Sequence, residues 1–124
     1  MKLNKISAIY IMDNRIGTVL ALISLIVIAE STAQYHIKKS KKTNNWIYLL
    51  VAVLCYIVIC GLLHKCYDYD DMGMTNLIWS VLSIVTIMII GHVAFKENIN
   101  KFDIIGMLCC IIGLYFIFIY GHNP

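Results

Sequence analysis

The sequence predicts an all-α membrane protein of four transmembrane helices. Three observations carry this. Of 124 residues, 60% are hydrophobic and only 14% are charged, where a water-soluble domain averages about a quarter charged. The mean hydropathy is +0.80. The apolar residues are gathered into four blocks, each near the roughly 20 residues that a helix needs to cross a hydrocarbon layer. Seven glycines and one proline leave little room for linkers.

The blocks run from Ile16 to Tyr35, Trp46 to Leu63, Met74 to Phe95 and Asp103 to Tyr120. Short polar connections separate them: KKSKKTNN, HKCYDYDD and KENINK. Two units follow, an N-terminal interfacial segment over 1–15 and a transmembrane domain over 16–124. The opening stretch, MKLNKISAIYIMDNR, has too short an apolar run for a signal peptide. A short amphipathic helix on the bilayer surface is one form it could take.

Lysine and arginine placement bears on orientation. Lys38, Lys39, Lys41, Lys42, Lys96 and Lys101 share one side; Lys2, Lys5, Arg15 and Lys65 share the other. The bias favours the first and third loops facing the cytoplasm and both termini outside. It is also close to the balance that permits insertion both ways. The expected location is integral and multi-pass, in the plasma (inner) membrane. The basic residues sit at block edges, which suits interface anchoring and not nucleic-acid binding. Of the cysteines, Cys55, Cys60, Cys109 and Cys110 lie in apolar runs and read as small hydrophobes. Cys66 stands near His64, a spacing that does not make a metal site. No metal or cofactor is expected. No nucleophile–base pair stands at a useful spacing, so no enzyme is expected either.

Glu30 is the residue out of place. No charge occurs from Gly17 to Ala29, and Glu30 lies about 12 Å along the axis from Lys38, inside a layer about 30 Å thick. An ionisable residue there costs roughly 2.5–3.5 kcal/mol on insertion scales. Such residues face a protein interior or a wet cavity and handle protons or ions. Two readings stand: a group that exchanges a proton for a cation, or a protonated glutamate that glues helices together. Val27, Ala33 and Gln34 share its face.

The third block carries a polar stripe. Asn76, Ser80 and Ser83 fall at i, i+4 and i+7, flanked by Trp79 and Thr86. The stripe either lines a cavity opposite Glu30 or packs helices through hydroxyls. Trp79 is a wall able to meet a cation through its ring face, or an interface anchor. In the fourth block Gly106, Cys110 and Gly113 form a small-residue seam suited to close helix approach, between subunits in this reading. His92 reads as an interfacial histidine or a second proton-handling group. Asp68, Asp70 and Asp71 read as a solvated loop.

These residues, taken together, resemble the small multidrug resistance family of the drug/metabolite transporter superfamily. Glu30 in the first span, GMTNLIWS over 73–80, FKENI over 95–99 and IIGMLCCIIG over 104–113 carry the likeness, with Lys38 closing the first helix. The register holds without gaps from Glu30 onward. The resemblance implies an antiparallel, dual-topology homodimer, with both glutamates in one site where protons and a cationic substrate compete. It implies that Glu30 couples, that Trp79 and Tyr56 line the pocket, and that Gly106 and Gly113 pack the fourth helix. Asn76 stands where the family commonly has tyrosine, which favours a small polar amine over aromatic cations. Val81 and Ser83 replace glycines, and the lead-in is additional.

The expected function is therefore proton-coupled efflux of small organic cations: amines, guanidinium or quaternary compounds. The expected partners are a second copy, the cation, protons and the lipid bilayer. The alternative is a non-transporting or lipid-handling four-helix membrane subunit of the same superfamily.

Overall fold

The computed structural model describes residues 2–121, with side chains from Asn4 onward. Four helices account for nearly all of it: α1 Lys2–Thr43, α2 Trp46–Cys66, α3 Met72–Phe95 and α4 Lys101–Tyr120. Each is long and apolar enough to span a membrane, so the chain is an integral, multi-pass membrane protein. Three short connections make neighbouring helices run in opposite directions. The N-terminal part of α1 and the loop at 67–71 lie at one end. The loops at 44–45 and 96–100 lie at the other.

The lead-in over 1–15 was expected as a separate surface segment. Its described residues instead open α1, a helix of 42 residues, or about 63 Å at 1.5 Å per residue. The physical reason is plain. Asp13, Asn14 and Arg15 are polar, but none breaks a helix. Gly17 costs only about 1 kcal/mol there.

The termini are set by local chemistry. The Asn45 side chain accepts the Ile47 N–H at 3.1 Å and starts α2. A capping box starts α4 two residues before the expected block: Asn100 accepts from the first turn, while Asp103 Oδ2 receives the Asn100 N–H at 2.8 Å. Lys96, in the left-handed region at φ 55°, closes α3. It turns the chain so that the Glu97 N–H donates to the Gly91 carbonyl at 3.1 Å.

α1 is the centre of the bundle. It packs against α2 and α3, and α4 lies against α3. Val19, Ile23 and Val27, one helical stripe of α1, meet Cys66 of α2 and Ile78 of α3 in the main core cluster. Cys66 Sγ lies 3.8 Å from the Thr75 hydroxyl, and both residues are fully buried. Much apolar surface stays uncovered, and α4 contributes no buried residue. In water such a surface would aggregate. In a bilayer its neighbours are lipid tails or another helix.

Candidate functional site

Glu30 is placed by the buried face of α1, between Ile26, Val27, Ser31 and Ala33. Its carboxylate turns toward α3. Trp79 Nε1 donates to Glu30 Oε2 at 2.6 Å, and Ser83 Oγ donates to the same oxygen at 2.6 Å. Hydrogen bonds to an ionised carboxylate are short and about twice as strong as neutral ones. Among the described residues, no hydrogen bond reaches Oε1. One carboxylate oxygen is therefore fastened by two donors, and the other lies outside those bonds.

A cleft of about 520 Å³ opens beside this carboxylate. Asn76, Trp79, Ser80 and Ser83 line it with Glu30, and Ile84, Ile87 and Met88 complete the wall. The polar stripe of α3 thus does face Glu30. Ile87 continues it at i+4 from Ser83, so the same periodicity could have found it. The cleft can accept a small cation: one carboxylate oxygen for charge, an indole ring face, and three polar side chains for N–H or O–H groups.

Tyr56 is placed differently. Its hydroxyl accepts from Gln34 Nε2 at 3.3 Å, and it does not line the Glu30 cleft. Gly106 and Gly113 are on α4, exposed, where an added Cβ would meet nothing within 4 Å. Cys110 between them is half-buried. The seam is thus free on the outside of the chain. His92 is held by its own neighbourhood: Nδ1 lies 2.8 Å from the Glu97 carbonyl, which fixes Nδ1 as the donor.

Two further features escaped the sequence reading. Lys38 Nζ pairs with Glu97 Oε1 at 2.8 Å, tying the end of α1 to the loop after α3. Both side chains are half-exposed, so the pair is worth at most about 1 kcal/mol. A second cleft, about 570 Å³, lies at the opposite end between α1, α3 and the 67–71 loop. Arg15 Nε donates there to the Tyr69 carbonyl at 2.8 Å. Asp70 and Asp71 border that cleft, and none of the Glu30 cluster does. It is the larger cleft, but the intramembrane acid and its two donors are in the smaller one.

The EamA-like transporter family matches residues 4–119. A quaternary ammonium compound-resistance protein, QacH, of Staphylococcus saprophyticus is 22% identical over 99 residues, covering 80% of this chain and 92% of the relative. A second such protein, QacC of Staphylococcus aureus, is 24% identical over 87 residues, covering 70% of this chain and 81% of the relative. A transporter family, and not an enzyme, is what both kinds of match indicate. The chain belongs to the EamA-like transporter family, and its likeness to the two resistance proteins is consistent with the small multidrug resistance family of the drug/metabolite transporter superfamily.

Proposed function

We propose that the chain exports small organic cations in exchange for protons, with Glu30 as the coupling group. The observation that carries this is the Glu30 carboxylate facing a polar cleft of the membrane domain, anchored through one oxygen by Trp79 and Ser83. The relatives named for resistance to quaternary ammonium compounds support the cation class. Asn76 and Ser80 at the cleft wall favour smaller substrates with N–H groups to donate, such as amines and guanidinium.

The mechanism needs only competition. A deprotonated Glu30 attracts the cation. A proton arriving from the other side neutralises the carboxylate, and the cation leaves. The working unit is an antiparallel, dual-topology homodimer in which two Glu30 carboxylates share one site. The exposed Gly106 and Gly113, with half-buried Cys110 between them, supply a surface for close helix approach. α4 has no buried residue within one chain, which fits a helix that packs against a second copy.

The test is Glu30→Gln in proteoliposomes under an imposed pH gradient. A glutamine carbonyl can accept both the Trp79 and Ser83 bonds, so the site is preserved. Proton-driven uptake of methylammonium or guanidinium should vanish while the dimer, followed by cross-linking, persists. Transport retained in Glu30→Gln would move the chemistry elsewhere and favour a subunit whose function lies in its α4 contacts.

A further inference from the structure

The two ends of the bundle differ in charge. At the end holding the 67–71 loop, Lys2, Lys5, Arg15 and Lys65 are matched by Asp13, Asp68, Asp70 and Asp71. At the other end six lysines face only Glu97 and Asp103. Both of those carboxylates are committed. Glu97 holds Lys38 at 2.8 Å, and Asp103 holds the Asn100 N–H in the α4 capping box. The lysines are also sorted. Lys39 Nζ lies 4.8 Å from the Tyr48 ring centroid, and Lys42 Nζ lies 5.4 Å from that of Phe95. Among the described residues, Lys41, Lys96 and Lys101 have neither a carboxylate nor a ring, and of these three Lys41 lines a groove.

Lys41 lines a groove of about 480 Å³ between the end of α1 and the start of α2. The groove is graded with depth. Ile37 lies about 6 Å further into the membrane than Lys41, and Leu49 about 4.5 Å further than Trp46, by helical rise. Its outer part is Ser40, Lys41 and Asn44; Ile37 and Leu49 lie deeper, with Lys38 beside Ile37 and Gln34 deepest. Trp46 stands at the boundary, where an indole suits the headgroup level. Gln34 lines the groove too, and its amide donates to the Tyr56 hydroxyl.

We propose that this groove is a binding site for an anionic phospholipid. The headgroup phosphate lies against Lys41, with Asn44 donating from its amide, and the upper acyl carbons run along Ile37 and Leu49, while Lys38, paired with Glu97, borders the groove. Cation surplus alone would serve any phosphate. The apolar inner wall and the position at the membrane face select a lipid over a soluble anion. An occupant would also touch Gln34, the residue bonded to Tyr56. The inference rests on the membrane-spanning helices and not on Glu30 chemistry, so either can fail alone.

The test is native mass spectrometry of the protein released from bilayers mixing phosphatidylglycerol and phosphatidylcholine. The wild type should retain phosphatidylglycerol preferentially. Lys41→Gln should reduce that retention about fivefold, the effect of one basic residue near an anionic surface. Lys41→Arg should restore it, and Lys5→Gln, at the balanced end, should leave it unchanged. Equal retention of the two lipids would overturn the proposal, as would a preference that survives Lys41→Gln combined with Lys38→Gln. Displacement of the lipid by millimolar inorganic phosphate, lost in Lys41→Gln, would make the groove a soluble-anion site and overturn it too.

Discussion

Ser83 and Trp79 act on Glu30 through the same oxygen, but they do not contribute alike. Ser83 is buried and adds a hydroxyl donor; Trp79 adds a donor and a ring face to the cleft. Removing Ser83's hydroxyl leaves the ring in place and takes one bond from the carboxylate. A hydrogen bond to a charged group is worth roughly 1.5–3 kcal/mol. A carboxylate with one donor fewer is held less firmly in the place where it meets the cation. Ser83→Ala should therefore weaken cation binding about tenfold at neutral pH, by calorimetry in nanodiscs. Unchanged affinity would mean that the bond plays no part in binding. Glu30 was legible because a carboxylate in an uncharged helix stands out. Asn76, Ser80 and Ser83 were legible as a face, because 3.6-residue periodicity states which side chains align. It does not state that two donors converge on one oxygen. Tyr56 came to the candidate pocket by resemblance, and its bond to Gln34 depends on the fit of α2 to α1, which no local pattern encodes.

At the level of single elements, the caps and turns differ in how well they suit their positions. The capping box of α4 uses residues that favour that role, Asn100 and Asp103. The end of α3 does not. Lys96 holds a left-handed conformation at φ 55° that costs an L-residue roughly 1–2 kcal/mol. Lys96→Gly should stabilise the protein by about 1 kcal/mol, read as a higher midpoint in thermal unfolding in detergent. A lower midpoint would mean that the lysine side chain offsets the strain. Glu97 lies over Gly91, where an added Cβ would come within 2.5 Å of its carboxylate. That glycine thus makes room for the Lys38 partner. The existence of all four helices could be read from block length. The true extent of α1 could not, because charged residues near 13–15 mimic an interface boundary without interrupting the backbone.

For the whole molecule, the decisive fact is how little a single chain covers. α1 is wrapped by α2 and α3, but α4 packs mainly against α3 and has no buried residue. Gly106 and Gly113 point into open space. A Cβ added at either meets nothing within 4 Å. Gly106→Leu combined with Gly113→Leu should therefore leave the monomer fold intact by circular dichroism. It should abolish the dimer in cross-linking and sedimentation, and transport should fall with it. A dimer that tolerates both leucines would place the interface on another face. The small-residue seam was visible in the sequence; its freedom from intrachain contact needed the packing of α3 against α4.

The fastening of Glu30 has one more consequence. Both tethers end on Oε2, so hydrogen can come and go at Oε1 without either letting go, since a carboxylic acid's carbonyl oxygen still accepts two bonds. In NMR spectra the indole N–H resonance of Trp79 should hold the downfield position of a bonded proton, and lose it in Glu30→Ala. The side chain would then behave as a hinge pinned at one screw, held through one atom and free at the other.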